Sequence, residues 1–273
     1  MQRLLRVLAC FYLFLVSSAV QAGQPVFSEM PRWDDGWGYQ FVPEYRYKSG
    51  LVSGTDTVDE AASEHIGLLH IEGVYTWDRS IRVTAKLPVV LYAQRQMSNA
   101  QGGLNESTDA GMGDATLGLP LKKYFNLDGR SGSWTFAPQV RIPLGPKADY
   151  SVYARSWGAG VFAGVETETY RFIGGVGFSG WYYFDEKPST FDASLALGVN
   201  LHGLGSSGHL KLKTACELED DGSVLVRTGP VLYWRFTDLV HGQVTWQMDV
   251  YQWRATPKLG NAHRMTAGVG FVY

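Results

Sequence analysis

The run Trp37-Gly38-Tyr39-Gln40-Phe41-Val42-Pro43-Glu44-Tyr45-Arg46-Tyr47-Lys48 decides the fold. Trp37, Tyr39, Phe41, Tyr45 and Tyr47 fall on one side of a period of two, and Gln40, Glu44, Arg46 and Lys48 on the other. Such alternation marks a β-strand with two chemically different faces. Ile81, Val83, Ala85, Leu87, Val89 and Leu91 repeat it against Arg82, Thr84, Lys86 and Tyr92. Trp134, Phe136, Val140, Ile142 and Leu144 do so against Thr135, Gln139 and Arg141. The same rule predicts strands near 64–77, 114–125, 156–167, 170–184, 190–202, 208–218, 224–236, 240–253 and 264–273, about twelve in all.

A water-soluble sandwich also alternates, with its apolar face inward. Three features favour a membrane barrel. Runs of about 12 to 14 alternating residues exceed the usual strand length and suffice to cross hydrocarbon when tilted. Aromatic residues gather where apolar faces end, at Trp37, Tyr75, Trp77, Phe125, Trp134, Trp157, Tyr170, Phe184, Phe191, Phe236 and Phe271-Val272-Tyr273, as interfacial girdles require. The opposite faces mix cations and carboxylates with Gly and Ser, a composition suited to a wet interior. The expected fold is therefore an all-β, transmembrane antiparallel up-and-down β-barrel of about twelve strands, spanning residues 36–273, in a bacterial outer membrane.

Loop lengths add an orientation, because such barrels have short periplasmic turns and longer extracellular loops. With a periplasmic N-terminus the outer loops are 49–63, 93–113, 145–155, 185–189, 219–223 and 254–263. The inner turns are 78–80, 126–133, 168–169, 203–207 and 237–239. Loop 93–113, the longest, is the expected constriction.

Arg3 and Arg6, an apolar run over 7–16 and small residues up to Ala22 read as a secretory signal peptide, residues 1–22, followed by a periplasmic segment, 23–35. The apolar run is far short of the roughly 20 residues of a transmembrane helix. Loss of Arg3 and Arg6 moves the formal charge from −2 to about −4, which is no nucleic-acid-binding balance. Only Cys216 would remain, so the mature chain has no internal disulfide.

Chemistry is sparse. His202, Ser206, Ser207 and His209 form the one dense Ser/His cluster, on an expected periplasmic turn away from outer-leaflet lipid, and read better as a polar turn than as a hydrolase site. His65 and His70 differ by five positions and face opposite sides of their strand. No zinc spacing, phosphate loop or dinucleotide fingerprint occurs, and no catalytic residue, metal or cofactor is expected. The lumen-facing charges are the candidate site: Arg46, Lys48, Glu72, Arg82, Lys86, Asp114, Lys122, Arg141, Asp192 and Arg235. They either set selectivity in a pore or pair to fill a narrow interior. If the pore is open, the wall carrying Arg82, Lys86, Lys122 and Arg141 beside Asp114 is net basic and is expected to favour anions.

Two resemblances can be named. Gly268, Phe271 and Tyr273 resemble the C-terminal assembly signal of outer-membrane proteins, although Ala267 stands where a polar residue is usual. Leu87-Pro88, then Gly111-Met112-Gly113-Asp114 opening Thr116-Leu117-Gly118-Leu119, then Arg141-Ile142-Pro143-Leu144-Gly145, resemble the outer-membrane transporter family named for the meta-cleavage pathway (MetA-pathway) of phenol degradation. Met112 and Leu144 depart from its Gly-Leu-Gly-Asp and Pro-Thr-Gly pieces. This resemblance implies uptake of small solutes, with aromatic or hydrophobic compounds as the candidate class. The expected function is a passive channel, with a lipid-modifying barrel enzyme or a closed structural or adhesion barrel as rivals. Expected partners are outer-membrane lipid and lipopolysaccharide, the barrel-assembly machinery and a small-molecule solute.

Overall fold

Between residues 37 and 45 burial alternates, but in the inverted sense: Trp37, Tyr39, Phe41 and Tyr45 are exposed, whereas Gln40 and Glu44 are buried. A computed structural model describes residues 35–78, 80–99, 103–127, 130–146, 150–185, 188–201 and 208–273. The expected signal peptide, 1–22, and all but Asp35 of segment 23–35 lie outside the described residues.

Fourteen strands are seen among the described residues: β1 (Gly36–Gly54), β2 (Asp56–Asp78), β3 (Ile81–Ser98), β4 (Leu104–Met112), β5 (Ala115–Gly118), β6 (Leu121–Leu127), β7 (Arg130–Ile142), β8 (Gly158–Glu168), β9 (Phe172–Tyr183), β10 (Thr190–Asn200), β11 (Gly208–Glu219), β12 (Val224–Arg235), β13 (Val240–Leu259) and β14 (His263–Val272). Strands β4, β5 and β6 succeed one another along β3 and, for β5 and β6, along β7, so together they form one interrupted stave. The remaining pairings join sequence neighbours antiparallel, except that β1 pairs with β14 and, at its far end, with β13, which closes a twelve-stave barrel.

Large exposed side chains cover the outside. Trp37, Trp77, Trp134, Tyr170, Phe236 and Tyr273 crowd the end that holds the C-terminus, and Tyr92, Trp157, Tyr182 and Phe184 the opposite end. Aliphatic residues such as Leu117, Leu197, Leu212 and Val244 are exposed between them. An apolar band between two aromatic girdles, around a charged interior, is stable only with lipid outside and water inside. The barrel therefore spans a membrane.

Three sequence expectations change. Segment 49–63 is not a loop: β1 and β2 continue as a ladder to Ser53 and Asp56. Segment 93–113 is likewise no constricting loop, because Ala93 to Ser98 pair with Asp109 to Leu104 in a ribbon beyond the membrane band. Residues 254–259 extend β13 rather than looping out. All three segments are polar, and the ladder persists because strand pairing in water needs no apolar face.

The expected lumenal Tyr92 points outward. Gly67 faces Tyr92 but Leu68 faces Val90, so Leu91 is an extra residue. This bulge reverses the inward parity of β3 from Arg82, Thr84 and Val90 to Ala93 and Arg95. Tyr92 then lies over Gly67 on the outer face, where any Cβ would stand 2.4 Å from its ring.

Leu117 and Val140 are register partners on the outer face, well inside the ends of their staves. Leu117→Arg or Val140→Arg is expected to destabilise the lipid-embedded fold by roughly 2–4 kcal/mol, measured by denaturant unfolding from vesicles. Gln139→Arg, which faces the lumen, is expected to fold almost as the parent does; equal damage from both faces would contradict the orientation.

Candidate functional site

Alternation brings charged groups from every quarter of the wall into one narrow space, and nearly all meet a partner there. On one side Glu44 takes a bond from Arg46 Nε, stands 2.8 Å from Arg264 Nε and lies 2.6 Å from His70 Nε2. Lys48 reaches Glu64 at 2.5 Å, and Lys86 reaches Glu72 at 3.0 Å. Across the barrel Arg227 meets Glu217 at 2.8 Å and Lys122 meets Glu166 at 2.8 Å. Arg141 donates to Tyr183 Oη at 2.5 Å while its guanidinium lies 4.5 Å from the Trp181 ring centre. Isolated buried ions are too costly to survive, so a lumen of this width is stable only if its charges are cross-linked.

Residues 150–156, between β7 and β8, fold inward. Tyr150 is buried against Ile66, Leu68, Val90 and Ala93, an apolar patch on the inner wall, with Val152 and Tyr153 packed beside it. Arg95 lies 4.3 Å from the Tyr150 ring centre. The interruption between β4 and β5 receives the rest of the segment. Gly113 donates to Pro88 O at 2.8 Å, and a Cβ there would lie 2.6 Å from the Tyr153 ring, so only glycine lets that ring seat. Arg155 holds φ at +54°; its backbone N–H reaches Asp114 at 3.2 Å, its guanidinium bonds Met112 O and Ser151 Oγ, and it lies 3.7 Å from Asp109. Asp109 also accepts from Val152 N at 2.8 Å. The segment is thus latched to β4 and narrows the barrel from within.

Beside it remains a cavity of about 550 Å³, bounded by β1–β3 and β10–β14 towards the loop-bearing end. Seven Lys and Arg side chains and four carboxylates line it, together with Leu51, Met97, Val152, Pro257 and Leu259. Lys258 meets Glu219 at 2.6 Å and Asp221 at 2.8 Å, and Arg254 meets Glu219 at 3.2 Å, so its upper rim is braced as well.

No protein-family model and no curated protein matches the sequence. Solved structures do. The COG4313 outer membrane channel from Pseudomonas putida F1 superposes with a TM-score of 0.73 at 13% identity, over 93% of this chain and 100% of that one. The chain has the fold of an outer-membrane channel. Matches to OccK1 (OpdK) of Pseudomonas aeruginosa (TM-score 0.39, 7% identity, 87% of this chain, 98% of that one) and to the KdgM porin (TM-score 0.41, 10% identity, 85% and 99%) are too distant to carry an argument.

Of the ten lumenal residues expected from sequence, Arg46 and Lys48 line the cavity. Glu72, Arg82, Asp114 and Lys122 are buried in the inner wall. Lys86 and Arg141 are engaged as described, and Asp192 accepts from Ser179 Oγ at 3.3 Å. Arg235 does not join them: it stands at the end of β12, 3.9 Å from Asp238, at the mouth opposite the cavity. On the wall expected to be basic, Lys86 pairs with Glu72 and Lys122 with Glu166, whereas Arg141 meets the neutral Tyr183 and Trp181; a second group of cations surrounds the cavity. Of the Ser/His cluster, His202, Ser206 and Ser207 lie outside the described residues, and His209 stacks 4.9 Å from Tyr233. Arg264 was legible from the alternation of β14 but passed over; Arg95, Arg254 and Lys258 lay in segments read as loops.

Glu44, 7% exposed, is the carboxylate on which three basic side chains converge. Glu44→Ala is expected to cost less than the roughly 3–5 kcal/mol of a fully buried pair, because the cations it strands are only half-buried, with Glu44→Gln intermediate, both read from the denaturant midpoint.

Proposed function

We propose that this protein is a passive outer-membrane channel, through which small solutes move down their gradient along the charged lumen. The lumenal cavity carries this reading. Inward charge follows from closing the barrel in lipid, but a barrel that served only as a scaffold has no need of a 550 Å³ cavity lined by cations and carboxylates. The lumenal charges would act as the selectivity elements, and the latched residues 150–156 would take the constricting role first expected of 93–113. On this reading the resemblance to the phenol-degradation family makes aromatic or other hydrophobic compounds candidate solutes.

Assembly follows the same reading. Phe271 pairs with Tyr39 and with Val240, and Tyr273 is 72% exposed at the rim. The final strand thus presents the aromatic residues by which assembly machinery would recognise it, with lipid and lipopolysaccharide against the girdles.

Conductance in planar bilayers tests the channel, and an absence of current from correctly folded protein would favour a closed structural barrel. Arg155→Ala and Asp109→Ala each remove part of the latch and are expected to raise single-channel conductance roughly twofold or more, because a narrow constriction dominates the resistance of the whole path. Unchanged conductance in both variants would place the constriction elsewhere.

A further inference from the structure

The cavity has two chemical halves. Arg46 and Arg264 converge on Glu44: Arg46 donates its Nε proton to the carboxylate, and Arg264 Nε stands 2.8 Å from it. A guanidinium carries five N–H donors, so two forks that share one carboxylate keep unused donors at the cavity wall, which both residues line. Arg95, from β3 beyond the bulge, adds a third cation; its Nε is buried with no hydrogen-bond partner among the described residues. With seven cations against four carboxylates the lining carries a surplus of three positive charges. The other half is apolar: Leu51, Met97, Val152 and Leu259 face the same space, and Val152 belongs to the cluster around Tyr150.

Pockets for small ligands run about 300–1,000 Å³ and combine an apolar lining with a few convergent polar groups, and this cavity fits that description. A fully hydrated inorganic anion would waste the apolar half. A neutral apolar molecule would have to strip water from the guanidinium donors and give them nothing in return. A cation meets repulsion. An organic carboxylate with a short apolar body satisfies both halves, since arginine forks match carboxylate geometry in a bidentate way.

We infer that this cavity is a binding site for apolar monocarboxylates, with the carboxylate held by Arg46, Arg264 and Arg95 and the apolar body against Val152, Leu51 and Leu259. The inference rests on the channel reading in one respect only: the bound acid is the solute that the channel passes.

Four probes separate the contributions: acetate, pentanoate, pentanol and pentylammonium. Saturation-transfer NMR on the full-length protein folded in detergent reads their binding whether or not current flows. Pentanoate is expected to bind about tenfold more tightly than acetate and than the other two pentyl probes, as one or two charge-assisted hydrogen bonds plus apolar burial imply. Arg264→Gln and Arg95→Gln, made separately, are each expected to remove most of the preference for pentanoate over pentanol. Should one variant fail to fold, the other and the parent's own ranking still decide. Equal binding of the three pentyl probes, or of acetate and pentanoate, would overturn the site. Tight pentanoate binding without any conductance would leave the site standing and overturn the channel.

Discussion

Everything in this structure depends on closing the hydrogen-bond ladder. In hydrocarbon an unpaired backbone N–H or C=O costs several kcal/mol, and a sheet with two free edges would leave a row of them on each side. The pairing of β1 with β14, from Gly38 with Val272 to Tyr47 with His263, removes both edges at once. With the wall continuous, side-chain direction follows from parity alone, and the period of two delivers rings to lipid and charges to the interior. A lumen only twelve staves around then forces those charges so close together that they must be mutually compensated. The lattice of Glu44, Glu64, Glu72, Glu166 and Glu217 with their basic partners is thus a consequence of closure at this circumference.

How much of this the sequence discloses depends on where lipid is. Within the membrane band, alternation is enforced by two different solvents, and Trp37 to Lys48 or Trp134 to Arg141 can be assigned to faces without a structure. Beyond the band both faces meet water, so the ladders from Asp56 to Ser63 and from Leu104 to Asp109 carry no hydropathy signature. The bulge is hidden for a related reason. Val89, Val90 and Leu91 are all apolar, and three apolar residues in succession do not reveal which one is supernumerary.

Least legible is the inward segment. Its anchors are single residues from distant strands: Asp109 and Met112 from β4, Asp114 from the break after it, and Pro88 and Arg95 from β3. Of these anchors only Asp114 is assigned to the lumen by alternation; Asp109 and Arg95 lie in a segment that reads as a loop, and partnership depends on the vertical stagger of neighbouring staves. Arg46 and Arg264, directly opposite in register, meet over Glu44 at the level where the cavity begins.

The seam at β1 has a further property. Above Tyr47 the partner of β1 changes from β14 to the upper part of β13, with Leu51 opposite Leu259 and Val52 opposite Lys258. Between the two ladders, Ser49 donates to Gly260 O at 3.1 Å and Gly260 donates to Gly50 O at 3.0 Å. First and last staves are therefore joined at two heights by two different pieces of chain, linked through a short turn around Asn261. If β14 slid by two residues the side chains would keep their faces and hydropathy would not object. The upper join would nevertheless lose its alignment, and Val52, fully buried at that join, would lose its packing. The second join thus works as a gauge of registration, so that the barrel can be sealed correctly at only one setting of its final strand.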